Sequence, residues 1–385
     1  MLGQFSQEWV IRNVTFFDHD THSFVAGDIE VDGPEIVAIR PPGSSTLQHG
    51  ADGRGHVCLP GLVVTQAELL AIHGDPDRLL RAGTTTVGTI CRTASECILA
   101  ASQTKVRLVA HVLLNAGDRA REGCSGIHER GVEVFDRVAD FVSSNKVRVL
   151  PAVYCASVVS AAELVRAQHF ASSQRRRLGL VLADGRDDAQ AFRERFYCSE
   201  TQLLTFLRLL DPGTTVFPGT QLSDRDADTL VRSEVRVAGG YAVAQRRASR
   251  QRTWGAIDAD RAVDAITVAA GADLGQTDCG RISTGMRADL CLFRSPERSL
   301  RGGGSAAFLE LLKEQRPDFV ITSGRVAYRA PGTLTDQSAC SIKLPAQSST
   351  TPHHARTGAA RASPDACLTR GTFRGTSPDQ LPNMT

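Results

Sequence analysis

Gln66 and Glu68 stand at alternate positions in LPGLVVTQAELL, the stretch from Leu59 to Leu70. Alternate side chains of an extended strand share one face, so this amide and carboxylate would meet the same ligand. Two thiols, Cys91 and Cys155, each end an apolar run. A thiol becomes a nucleophile only where a neighbouring base or cation lowers its pKa. No such base is identifiable for either, so both read as buried thiols. His19 and His22 fall among turn-forming residues and read as exposed. His111 interrupts an apolar strand and reads as a packed side chain. The ten cysteines include no Cys-x-x-Cys pair, which argues against a zinc knuckle and for reduced thiols. Of 44 basic residues only Lys105, Lys146, Lys313 and Lys343 are lysines, leaving few candidates for Schiff-base chemistry.

These residues need elements to hold them. The first part of the chain alternates apolar and polar residues in EWVIRNVTFF, AGDIEVDG and EIVAIRPPG, broken by Gly, Pro and Asp, the pattern of short strands and turns. From about 59 to 280 apolar runs alternate with helical spacing. TTTVGTI, VRLVAHVLLNA, VRVLPAVYC, RLGLVLADG and TTVFPGT are strand candidates; GVEVFDRVADFVSS, SAAELVRAQHFASSQ and SETQLLTFLRLL are helix candidates. Repetition of strand and helix gives a parallel α/β sheet, doubly wound or closed as a barrel. IDADRAVDAITVAAGADLG reads as one helix, and ADLCLFR, DFVITSG and RVAYR as strands. Residues 331–385 are rich in Ser, Thr, Pro, Ala and Arg, too poor in large apolar side chains for a core, and are expected to be a disordered tail. The expected organisation is a composite β-sandwich of 1–58 with 281–329, a barrel over 59–280, and that tail.

Composition narrows the partners. The net charge of +2 favours neither nucleic acid nor an acidic surface. The arginine-rich runs SQRRRLG and QRRASRQR lack interleaved aromatics and read as solvated loops, not nucleic-acid sites. No apolar run is long enough for a membrane span, and the start, MLGQFSQEWVIRNV, has no secretory pattern. A cytoplasmic protein is expected.

Several phrases, in order, resemble the metal-dependent amidohydrolase superfamily: LPGLV, its first barrel strand; DCGRISTGMRADLCLF, the segment after the barrel; and VITSGRVAY, the closing strand pair. Within it the chain is most similar to guanine deaminase. The matching segments are RAGTTTVGTICRTASECILAA, VRLVAHVLLN, VRVLPAVYCASVVSAAEL, ADGRDDAQAF, FPGTQLSDRDADTL and VRVAGGYA. The resemblance implies a TIM-type (β/α) barrel and a zinc ion that activates water to convert guanine to xanthine and ammonia.

The departures fall on the residues that matter. In the family, zinc is held by a His-x-His pair, two further histidines and an aspartate. Those positions are Gln66, Glu68, Val181, Pro218 and Arg236 here. Only Glu68 is a competent ligand, and a catalytic zinc takes three protein ligands. The family's proton-shuttling glutamate falls on Asp184, and a Pro-Arg pair that helps hold the purine falls on Cys155 and Ala156. The seventh strand also has no room, so the barrel is expected to lack a strand–helix unit. No cofactor is expected, although the family uses zinc. Glu68 and Asp184 either do acid–base work as a pair or, the favoured reading, neutralise Arg236. The chain is then a non-catalytic homologue that binds a ligand or partner, or a C–N hydrolase with a rebuilt site. Open strand edges suggest a homo-oligomer, or a hetero-oligomer with an active homologue.

Overall fold

A computed structural model describes residues 8–115, 129–144, 146–219, 221–233, 235–239, 258–294 and 304–331. The expected tail, apart from residue 331, lies outside the described residues, as does the run QRRASRQR.

Strand-forming sequence at both chain ends builds one hydrogen-bonded sheet. The first part supplies β1 (Glu8–Asp18), β2 (Ser23–Asp32), β3 (Glu35–Arg40), β4 (Gly50–Asp52) and β5 (His56–Pro60). Three more strands follow later in the chain, β13 (Leu290–Arg294), β14 (Phe319–Thr322) and β15 (Arg325–Arg329). The order is β15-β14-β13-β5-β1-β2-β3, with β4 beside β1. The seam joins β5 to β13 in antiparallel register, Val57 opposite Phe293. Period-2 alternation sorts the seam between two cores. Cys58, Leu290 and Leu292 enter a core with Trp9, Ile29 and Ile321; Val57, Leu59, Cys291 and Phe293 enter the larger core shared with the second sheet.

The middle of the chain forms β6 (Leu62–Val64), β7 (Thr84–Cys91), β8 (Arg107–Leu113), β9 (Val147–Tyr154), β10 (Leu178–Val181), β11 (Thr214–Phe217) and β12 (Arg236–Val237). They pair in sequence order, all parallel. Between them run α1 (Leu69–His73), α2 (Pro76–Arg81), α3 (Ala94–Gln103), α4 (Glu129–Val142), α5 (Ala161–Ser173), α6 (Arg186–Phe196), α7 (Glu200–Phe206) and α8 (Asp224–Arg232). Ser and Thr caps start three of these helices: Thr93, Ser199 and Ser223 each accept a backbone N–H from the first turn.

The sheet is curled. His111 on β8 and Phe217 on β11 lie three strands apart, which would be about 14 Å in a flat sheet, yet their ring centroids are 4.6 Å apart. Gly179 on β10 makes this possible, because a Cβ there would lie 3.1 Å from the His111 ring and 3.4 Å from Phe217. His111 is thus a packed core residue, its pKa lowered to about 4 chiefly by burial. Among the described residues no strand joins β6 to β12.

The stretch expected as one helix is two, α9 (Ala259–Ala265) and α10 (Val268–Asp273). The break has a cause: the Ile266 carbonyl turns away to accept the N–H of Val63 on β6, and Thr267 hydrogen-bonds back to the Val263 carbonyl. α10 then touches both β6 and β12. Its Ala270 and Leu274, which follows it, pack against Val63, Val109 and Leu150 on the concave face. A further helix, α11 (Gly304–Glu314), carries Phe308 into the core against Phe17.

His19 corrects the expectation of an exposed turn residue. It is buried, its Nε2 lies 3.1 Å from the Thr267 hydroxyl, and burial lowers its pKa to about 4. The Phe17, Phe24 and Phe308 cluster beside it draws the turn inward. His22 is half-buried, 3.5 Å from Asp264. No described helix is long and apolar enough to cross a membrane.

Candidate functional site

Parallel strands all end on one edge, where barrel proteins place their chemistry. Four of the five positions singled out above lie at or just beyond that carboxyl edge. Gln66 and Glu68 follow β6 and are exposed; Val181 is the last residue of β10; Pro218 follows β11. Asp184 is exposed in the loop after β10. Cys155 and Ala156 form a buried 3-10 turn at the end of β9. Burial drives the Cys155 thiol well above its ordinary value. The Cys91 thiol is also raised, by its hydrogen bond with Cys97 and by burial. Neither environment makes a thiolate.

Arg236 departs from expectation. It opens β12 opposite Thr215, the second residue of β11. At about 3.3 Å per residue it stands some 7 Å short of the row containing Val181 and Phe217. Thr215, its register neighbour, donates its hydroxyl proton to the Asp273 carbonyl. Arg236 is near enough to Asp273, at the end of α10 and at the opposite edge of the sheet, for its charge to act on that carboxyl. Burial holds Asp273 up at about 7, opposed by Arg236 and then Arg177. Among the described residues no ion pair joins Arg236 to Glu68 or Asp184.

The carboxyl edge does hold polar groups that sequence reasoning missed. The Asn115 side chain clasps the backbone of Tyr154, donating to its carbonyl at 2.8 Å and accepting its N–H at 2.9 Å. The Tyr154 hydroxyl donates to Asp188 at 2.5 Å. Beside it, Glu200 accepts the Ala183 N–H with both oxygens, at 2.9 and 3.2 Å. Burial raises Glu200 to about 7 against that bond, with Asp226 and Asp188 adding repulsion. Asp226 accepts hydroxyl protons from Ser199 at 2.6 Å and Ser223 at 2.5 Å. Gly219 lets the exits of β10 and β11 meet, since a Cβ there would lie 1.8 Å from the Ala183 carbonyl. One sequence signal does mark this cluster: Ser199 with Gln202, and Ser223 with Asp226, have capping-box spacing. Each serine starts a helix on this edge.

The zinc that the resemblance implies does not fit these residues. Val181 and Pro218 offer no side-chain donor, Arg236 is a fixed cation at the other edge, and Gln66 is a weak ligand. Among the described residues no group of three or more His, Cys, Asp or Glu side chains could hold a metal ion.

The seven-stranded curled sheet and its helices are those of solved hydrolases and deaminases. Zinc-bound atrazine chlorohydrolase from Arthrobacter aurescens TC1 superposes with a TM-score of 0.66 at 16% identity, covering 86% of this chain and 97% of that one. An adenosine deaminase from Xanthomonas campestris with bound zinc gives 0.64 at 14% identity, over 83% and 92%. An amidohydrolase from a Sargasso Sea environmental sample gives 0.64 at 15%, over 84% and 93%. The chain thus has the α/β fold of amidohydrolase-type barrels. No family model matches the sequence, and no curated protein matches it.

Proposed function

We propose that this chain is a guanine deaminase-like member of the amidohydrolase superfamily that does not perform zinc-dependent deamination. It serves instead as a cytoplasmic binding protein for a purine-like ligand or a partner. The observation carrying this reading is the chemistry of the carboxyl edge, where Gln66, Glu68, Val181 and Pro218 replace the family's four histidines. The proposed architecture is the composite domain of 1–58 with 281–329, a barrel over 59–280 short of one strand–helix unit, and a terminal tail. The α10 contacts with β6 and β12 support the loss of that unit. Exposed edges favour assembly with a second copy or with an active homologue.

One observation favours a second reading, a C–N hydrolase of purine-like cyclic amidines with a rebuilt site. Glu200 titrates near neutrality beside Asp226, as a general acid–base would. Metal analysis of the purified chain, run beside guanine deamination and guanine-binding assays, separates the two. Substoichiometric zinc, no xanthine and saturable guanine binding are expected. Stoichiometric zinc with turnover would overturn the first reading. Turnover without zinc that Glu200→Gln abolishes would establish the second.

A further inference from the structure

The amino edge of the parallel sheet carries a cavity of about 360 Å³, within the range of small-molecule sites, about 300–1,000 Å³. Four cations line it: Arg107 at the start of β8, Lys146 and Arg148 at the start of β9, and Arg176 ahead of β10. Among the described residues no carboxylate lines it. Arg107 is bound from behind by Asp278 at 3.0 Å and Asp289 at 2.8 Å. Its Nε, fully buried, has no partner among the described residues.

The other three cations have no carboxylate partner among the described residues. Each instead touches a backbone carbonyl: Lys146 Nζ to Thr104 at 2.8 Å, an Arg148 terminal nitrogen to Gly275 at 3.0 Å, and an Arg176 terminal nitrogen to Val149 at 2.7 Å. A guanidinium has five N–H donors, so one carbonyl bond leaves most of each fork unspent. Burial and the nearby Lys105 depress Lys146, as expected of a cation without a counter-ion. Ser143, Ser144 and the Gln276 amide complete the wall with neutral hydrogen-bonding groups.

We propose that this cavity binds a phosphate group, free or as the ester of a small molecule. Three cations with spare donors on the wall of one cavity match a dianion with several acceptor oxygens, and the forked arginines match its geometry. The site lies across the sheet from the carboxyl edge, so it stands or falls independently of the reading of that edge.

Calorimetric titration of the full chain tests this, with adenosine 5′-monophosphate, inorganic phosphate, adenosine and citrate as probes at low and high salt. Saturable binding of the monophosphate is expected, displaced by inorganic phosphate, absent for adenosine and weakened by salt. A monophosphate that binds more tightly than inorganic phosphate identifies an ester site; equal affinities identify a free-phosphate site. The Arg148 side chain is exposed, so Arg148→Gln should weaken binding about tenfold or more with an unchanged melting temperature. Lys146→Gln should do the same and serves as a second variant. Absence of phosphate binding, adenosine binding as tight as the monophosphate, equal affinity for citrate, or full affinity in both variants would overturn the proposal.

Discussion

The two edges of the parallel sheet differ in how their charges are managed. At the amino edge, charge ties elements together: Arg107 of β8 bonds Asp289, which adjoins β13 of the other sheet, and Arg177 reaches the Ala272 carbonyl in α10. At the carboxyl edge, acidic groups gather beside serine hydroxyls and helix starts, while Gln66, Glu68, Val181 and Pro218 are exposed or apolar. In a barrel enzyme the carboxyl edge is the specialised one. Here the ion pairs of buried Arg107 stand at the other edge, and they serve cohesion.

The comparison breaks most decisively at Arg107. Removing one partner of a buried ion pair strands the other charge, which costs about 3–5 kcal/mol. Asp289 is only 2% exposed. Arg107→Met should therefore lower stability by that amount in denaturant titration, and a change under 1 kcal/mol would show that the amino edge is not held by charge.

A second effect, shared by the two edges, depends on pH. Glu200 and Asp273 both have folded pKa values raised to about 7. A raised carboxyl pKa means that the folded chain binds more protons than the unfolded one between about pH 4.5 and 7, so these groups reduce stability as pH rises through that window. By pH 8 the loss is on the order of 3 kcal/mol for Glu200 and 4 kcal/mol for Asp273. Glu200→Gln should raise the melting temperature at pH 8 and leave it nearly unchanged at pH 4.5. Equal shifts at the two pH values would place Glu200 in ordinary solvent.

Ser223→Ala tests a single cap at the carboxyl edge. It removes the hydroxyl that accepts the Asp226 N–H and donates to the Asp226 carboxylate. A loss of about 1 kcal/mol is expected in chemical denaturation. The smallest effect belongs to the paired change Gln66→His and Glu68→His. Both side chains are exposed, so stability should stay within about 0.5 kcal/mol. Metal analysis should still find no tight zinc, because Val181 and Pro218 remain without donors. Tight stoichiometric zinc in this variant would mean that two histidines at these positions suffice to make a metal site.

Regular patterns made much of the fold legible in the sequence. The runs of β7 through β11 are strands because β-branched and apolar residues suit a buried parallel sheet. The capped helices α3, α7 and α8 start at serine or threonine. What escaped depends on contacts distant in sequence. The break at Ile266 exists because β6 needs an acceptor there, some 200 residues earlier. His19 is buried by phenylalanines from β1, β2 and α11, so a turn-like local sequence misleads. Arg236 was placed by motif order, but strand register decides which edge a side chain reaches. Glu200 was missed because burial, not residue type, makes a glutamate unusual.

The seam between β5 and β13 carries a consequence for the newborn chain. Val57 cannot meet Phe293 until roughly 230 further residues have emerged, which takes about 10–50 s at ordinary synthesis rates. Through that interval β5 waits with one side of its backbone unpaired, beside a barrel that can already be assembling. Such distant pairing is slow to close. A strand made late is the one that locks β5, made early.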